Sequence, residues 1–209
     1  MIIPSIIATT FEEVKRKIVL LDDVSDWAQL DIADGLFAGP ITWSAPDDLV
    51  NLDGKIKLEA HLMVKEPEEM LKMWADYTDR ILVHAEATKH LAEIAEATKE
   101  TPAKLGVALK IDTPLDILAE MEAVDKIHCL QLMSIDELGH YGAKFDERIY
   151  ERIKQAREMY PNLEINIDGG VTLDNAPKLL EAGVTNLVVG SAIWNAEDPI
   201  IELKKFQSL

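Results

Sequence analysis

WAQLDIA, residues 27–33, has the apolar content of a buried β-strand, yet it carries Gln29 and Asp31. Successive strand residues point to opposite faces. Trp27, Gln29, Asp31 and Ala33 therefore share one face, and Ala28, Leu30 and Ile32 share the other. A buried carboxylate is unfavourable unless it is paired, hydrogen-bonded or bound to a metal. A strand with one apolar face and one inward polar face suits the wall of a closed barrel. The apolar face then packs under helices, and the polar face lines the axis.

The same division recurs along the chain. In IKLEAHLMV (56–64), Glu59, His61 and Met63 lie opposite Leu58, Ala60, Leu62 and Val64. In LEINID (163–168), Asn166 and Asp168 lie opposite Ile165 and Ile167, and in IIPSII (2–7) Ser5 lies opposite Ile6. Further strand candidates are RILVHAE (80–86), KLGVALK (104–110), KIHCLQLMS (126–134) and TNLVVG (185–190), which makes eight. Helical patterns follow the strands. Thr10 to Glu13 has capping-box spacing, and Pro67 suits a first helical turn. HLAEIAEATKE (90–100), PLDILAEME (114–122) and FDERIYERIKQAREMY (145–160) have helical periodicity. LDNAPKLLEAG (173–183) places Pro177 in its first turn and Gly183 at its stop, and DPIIELKKF (198–206) follows. With no linker or low-complexity tract, the reading is α/β: a single (β/α)8 barrel domain over 1–209, with a doubly wound sheet as the runner-up.

Composition excludes several classes. The net charge of -17 argues against nucleic acid, whose phosphates need a basic surface. An anionic ligand must therefore be held by local groups such as backbone amides. Cys129 is the single cysteine, which rules out an internal disulfide and fits a reducing compartment. No apolar run reaches membrane-spanning length, and MIIPSIIATT has neither a positive n-region nor a cleavage pattern. The expectation is a cytoplasmic protein with no membrane or nucleic-acid partner.

Taken singly, His61 and His84 read as hydrogen-bonded core histidines, Asp31 and Asp168 as loop or turn residues, and Met63 and Met133 as filler. The matched parity of Ser5, Asp31, His61 and Asp168 on separate strands favours a shared site at the C-terminal rim. Two carboxylates and an imidazole there can ligate a divalent metal or move protons on opposite faces of a substrate. Strands seven and eight end in Gly169-Gly170 and Gly190-Ser191, and the loop DELGHYGAKF (136–145) adds Gly139 and Gly142. Loops after these two barrel strands often bind phosphate.

These residues carry a resemblance. PSIIA (4–8), LDIADGLFAG (30–39), HLMVKEP (61–67), VHAEAT (83–88), MSIDELGHYGAKF (133–145), NIDGGV (166–171) and VVGSAI (188–193) are similar to the ribulose-phosphate 3-epimerase family, over essentially the whole chain. The related branch with Asp-x-Lys on the third strand does not match LEAHLM. The resemblance implies an isomerase of the pentose phosphate pathway that interconverts D-ribulose 5-phosphate and D-xylulose 5-phosphate through an enediolate. It further implies Asp31 and Asp168 as the acid/base pair and as metal ligands, with His61 a further ligand. Met63 and Met133 would line the reacting centre, and Ser5 and His61 would meet the substrate. Gly139, Gly142, Gly169, Gly170, Gly190 and Ser191 would hold the phosphate, and a divalent ion (Mn, Fe, Co or Zn) would serve as cofactor in a homo-oligomer. The chain departs from the pattern at Gln29, where the family has its fourth ligand, a histidine; an amide oxygen is the weaker donor. Ala33 replaces a methionine, Leu36 replaces a histidine, and ELGHYGAKF (137–145) replaces PGFGGQKF. Two alternatives remain: an epimerase of another phosphoketose, or a sugar-phosphate-binding barrel of weakened activity.

Overall fold

A computed structural model describes residues 1–120 and 126–209. Eight parallel strands close into a barrel in sequence order: β1 (Ile2–Ile6), β2 (Trp27–Ala33), β3 (Lys57–Met63), β4 (Arg80–His84), β5 (Lys104–Leu109), β6 (Cys129–Met133), β7 (Glu164–Asp168) and β8 (Asn186–Val189). The closure is made by β1 on β8, with Ile2 opposite Leu187. The doubly wound alternative is thereby excluded. Each expected strand is present, trimmed at its ends; β6 begins at Cys129 rather than 126.

The helices are α1 (Phe11–Leu21), α2 (Glu68–Trp74), α3 (Leu91–Thr98), α4 (Ile117–Glu120), α5 (Ile149–Met159), α6 (Ala176–Glu181), α7 (Ser191–Trp194) and α8 (Pro199–Gln207). Residues 121 and 122 of the helical run expected at 114–122 lie outside the described residues. Val14, Ile18 and Leu21 recur at helical spacing on α1 and are buried. The Thr10 hydroxyl accepts from the Glu13 amide at 3.4 Å, the first half of a capping box. The reciprocal half is missing, because the Glu13 carboxylate pairs with Lys17 at 2.8 Å. Between β2 and β3 the expected α-helix is replaced by a short 3-10 helix, Pro46–Asn51. Pro40 and Pro46, with Gly35, Gly39 and Gly54, leave this connection no uninterrupted helical stretch.

Leu30, Ile32, Ala60, Leu62, Leu130, Leu132, Ile165 and Ile167 face outward and join the helices in one large apolar core. The inward face is polar on nearly every strand. Gln29, Glu59, His61, His84, Gln131, Asn166 and Asn186 are buried in it. The ladder sets Gln29 beside Glu59 and Asp31 beside His61, so the polar residues stack in layers along the axis. A separate small apolar cluster of Ala33, Ala38, Met63, Met133, Ile135 and Leu138 covers the C-terminal end.

Candidate active site

Asp31, His61 and Asp168 project from β2, β3 and β7 into the upper barrel, and their ligand atoms lie within 4.8 Å of one another. His61 Nδ1 stands 3.1 Å from Asp31 Oδ1 and 3.5 Å from Asp168 Oδ2. Period-2 alternation on a strand buried on both sides delivers each of these side chains inward. The ladder register places Asp31 and His61 at one level.

Two amides hold the aspartates together. Gln29 Nε2 donates to Asp31 Oδ1 at 2.7 Å and to Asp168 Oδ2 at 2.9 Å. Gln131 Nε2 donates to Asp168 Oδ2 at 2.8 Å. The opposite ends of both amides, Gln29 Oε1 and Gln131 Oε1, are buried without a partner. Burial and the neighbouring charge of Asp31 push the Asp168 carboxyl up to about 7. Burial by itself would lower the His61 pKa, but its bond to Asp31 and the surrounding carboxylates raise it overall. The cluster therefore draws protons to offset its carboxylate charge in a poorly solvated place.

The donor set fits a divalent cation. Two carboxylate oxygens and an imidazole nitrogen converge on one point, which suits a hard or borderline ion. The amides support the same conclusion. Each spends its N–H donors on the carboxylates and strands its oxygen, as expected where negative charge must be compensated. A half-turn of the Gln29 amide would bring Oε1 to a nearly identical position as a fourth donor and third oxygen.

Ser5, Asp31, Met63, Met133, Gly139, Gly142, Asp168, Gly169, Gly170, Gly190 and Ser191 all line one cavity. His61 and Gln29 lie beneath it, completely buried. At Gly170 (φ +63°) a Cβ would meet the backbone and Cβ of Phe145 at 2.9–3.1 Å, so only glycine lets this loop pass so close. Leu36, which stands where the family pattern has histidine, is 79% exposed and is not among the residues lining the cavity. Ala33 is part of the apolar cluster above the aspartates.

Three residues that sequence reasoning missed matter here. Gln131 was hidden in an apolar run, although its parity with Met133 would have revealed it. Tyr141 carries no periodic signal, yet its hydroxyl donates to Ser5 O at 3.0 Å and accepts from the Ile7 amide at 3.0 Å. Its ring helps to line this cavity of ≈ 40 Å³. His84, read as a core histidine, contacts His61 directly: their Nε2 atoms are 2.9 Å apart.

The model of the "Ribulose-phosphate 3 epimerase family" matches residues 1–194. Ribulose-phosphate 3-epimerase of Bacillus subtilis is 31% identical over 207 residues, covering 93% of this chain and 92% of that protein. The chloroplastic ribulose-5-phosphate-3-epimerase of Arabidopsis thaliana is 32% identical over 93% of this chain and 72% of that protein. Among solved structures, a mutant tryptophan synthase α-subunit from the hyperthermophile Pyrococcus furiosus superposes with a TM-score of 0.71 at 16% identity, covering all of this chain and 98% of that one. Orotidine 5'-monophosphate decarboxylase from Sulfolobus solfataricus superposes with a TM-score of 0.66 at 10% identity, covering 99% and 95%. At such low identities these two structures speak to the fold alone.

Proposed function

The chain belongs to the ribulose-phosphate 3-epimerase family, and from that premise we infer that it interconverts D-ribulose 5-phosphate and D-xylulose 5-phosphate with Asp31 and Asp168 as its acid/base pair. The observation that carries this reading is the meeting of two carboxylates, from β2 and β7, on the wall of one cavity. Inversion at C3 passes through a planar enediolate. One group must remove a proton from one face, and another must return a proton to the opposite face. The pair needs one member ionised and one protonated at the start. Asp168, pushed to about 7 by burial and by Asp31, is the member suited to hold the proton. Asp31 then takes the C3 proton, and the roles exchange in the reverse direction.

Asp31, His61 and Asp168, with the Gln29 amide oxygen after rotation, would hold the divalent cation. When bound, the cation supplies electrostatic stabilisation of the enediolate oxygens. Zinc favours nitrogen and sulfur donors, and manganese favours oxygen. With one imidazole and the rest oxygen, the set leans towards manganese. Met63 and Met133 present an apolar surface that excludes water from the carbanionic centre. The phosphate is assigned to the glycine loops at Gly139, Gly142, Gly169, Gly170, Gly190 and Ser191, through backbone amides, since the acidic chain as a whole offers no attractive field.

The test is C3 proton exchange in D2O. Asp31→Asn and Asp168→Asn should each abolish epimerisation. Each should also retain slow wash-out of the C3 proton from whichever epimer faces the surviving aspartate. Near-wild-type epimerisation by both variants would sink the assignment. Equal binding of free ribulose and ribulose 5-phosphate would sink the phosphate site.

A further inference from the structure

Gln131 stands on β6 between Leu130 and Leu132, and its side chain is completely buried. A primary amide offers two N–H donors and a carbonyl oxygen, and all of them want partners in a dry interior. Gln131 finds few. Its Nε2 donates to Asp168 Oδ2 at 2.8 Å and lies 3.4 Å from His61 Nδ1. The remaining contact is a long one, 3.9 Å to Met133 Sδ. Its Oε1 has no partner at all. Leaving such an atom unpaired is unfavourable, and a third leucine between Leu130 and Leu132 would avoid it.

Gln29 repeats the arrangement from β2. Its Nε2 stands 2.7 Å from Asp31 Oδ1, 2.9 Å from Asp168 Oδ2 and 3.4 Å from His61 Nδ1, and its Oε1 is likewise unpartnered. The inner ends of both amides thus lie 2.7–3.4 Å from the carboxylates and the imidazole. Oxygens bonded to one cation at about 2.1 Å stand about 3 Å apart when they meet at right angles. The two amides are spaced from the other donors as neighbouring ligands of one ion are.

What else occupies the cluster decides which atom of each amide faces it. Carboxylates alone attract the N–H end, because an oxygen there would be repelled. A cation among them reverses the preference, because an amide N–H cannot ligate. No donor holds the far oxygen of either amide, so no hydrogen bond to it opposes the half-turn.

We propose that Gln131 is a further cation ligand of this chain: its amide turns over together with that of Gln29, and its Oε1 joins Asp31, His61, Asp168 and Gln29 as a fifth donor. The inference rests on the cation site under Proposed function and adds to it a donor from β6. Four oxygens and one nitrogen exceed the four donors of a tetrahedral zinc site and suit an ion that takes six, such as Mn2+.

The rival role is that Gln131 does no more than hold Asp168 by a hydrogen bond. The two roles differ in sign. Removing a mere N–H donor frees Asp168 Oδ2, and cation binding would be unchanged or tighter. Removing a ligand weakens it.

The experiment titrates the metal-free full chain with Mn2+, followed by the EPR signal of the free ion. It is paired with 13C ENDOR of the bound ion in protein labelled at the glutamine carbonyl carbons. The other two glutamines, Gln155 and Gln207, are exposed on α5 and α8. Wild type should show strong coupling to two carbonyl carbons. Gln29→Met should keep one of them, that of Gln131. Gln131→Met should weaken Mn2+ binding at least about tenfold, the loss that removing even a partner of a metal ligand commonly brings. Coupling to a single carbon in wild type would overturn Gln131 as a ligand whether or not any variant folds. So would a folded Gln131→Met variant that binds Mn2+ as tightly as wild type. Either result leaves the cation site standing. A wild type that takes up no Mn2+ would overturn both the cation site and the fifth donor.

Discussion

The barrel encloses two ionic clusters at different depths, and they are built on opposite plans. Near the N-terminal ends of the strands, Arg80 donates from Nε to Glu59 Oε2 at 2.6 Å and pairs through Nη1 with Glu164 at 3.3 Å. Its guanidinium also lies 4.7 Å from the Trp27 ring centroid. Asn186 completes this layer with bonds to Asn166 and Glu164. Here a permanent cation offsets buried carboxylate charge, although Glu59 Oε1 is left without a hydrogen-bond partner. Near the C-terminal ends, Asp31 and Asp168 have only two neutral amides and an imidazole for company. One layer spends its polar groups on stability, whereas the other leaves charge uncompensated for something that arrives later. A buried ion pair is thus no marker of function by itself; the missing counter-charge is.

The contrast can be broken from either end. The largest effect is expected above. Asp31→Asn or Asp168→Asn should lower kcat/KM for epimerisation by roughly 10³-fold or more, with the unfolding midpoint unchanged or raised. A coupled assay and a denaturant titration on the same preparations check both halves. Below, Arg80→Met should destabilise the fold by about 3–5 kcal/mol, because it strands Glu59 in a dry interior. Adding Glu59→Leu should recover much of that loss, and turnover per folded molecule should stay near wild type throughout. Recovery absent from the double variant, or a specific loss of kcat in the single one, would erase the distinction between the layers.

The third expectation concerns pH in the metal-free protein. Asp168 titrates at about 7 when folded, against an ordinary value of 3.8. The folded state therefore binds more protons between these values. The stability contributed by protonated Asp168 is complete below 3.8 and is lost as pH rises through about 7. At 1.36 kcal/mol per unit the window spans at most about 4 kcal/mol. Asp168→Asn should thus gain stability relative to wild type as pH climbs from about 4 to about 8. A difference that stays flat across thermal melts at these pH values would show the charge to be solvated. The smallest effect is expected at Gln29. Gln29→His should tighten Zn2+ about tenfold by calorimetry and Mn2+ by less, since imidazole replaces an amide oxygen; equal gains for both ions would contradict the donor argument.

Much of this was legible in the sequence. All eight strands could be read because each buried run sits between helical patterns or turn residues. The three central residues emerged because Leu30 and Ile32, Leu62, and Ile165 and Ile167 define the opposite face without ambiguity. The lower cluster was partly visible in Glu59, but Arg80 opens a run, RILVH, in which Leu82 interrupts the polar face it shares with His84. Gln131 was concealed for the same reason inside CLQLM. The His61–His84 contact depends on how neighbouring strands bring side chains together, which alternation within a single strand cannot report. The segment after β2 misled because helical spacing was inferred from the repeat of the architecture rather than from its own proline- and glycine-broken sequence.

Tyr141 bridges the backbone of Ser5 and Ile7 beside a cavity of ≈ 40 Å³, whereas small-molecule pockets commonly offer roughly 300 Å³ or more. A ligand of pentose-phosphate size therefore fits only when some of this lining moves aside, and Tyr141 is tied to the chain at the end of β1 by two hydrogen bonds. Encounter and capture become separate events. The apparent association constant is scaled by the fraction of time the 136–145 segment stands open. Where such a loop step is slow, turnover is set several residues away from any atom that handles a proton.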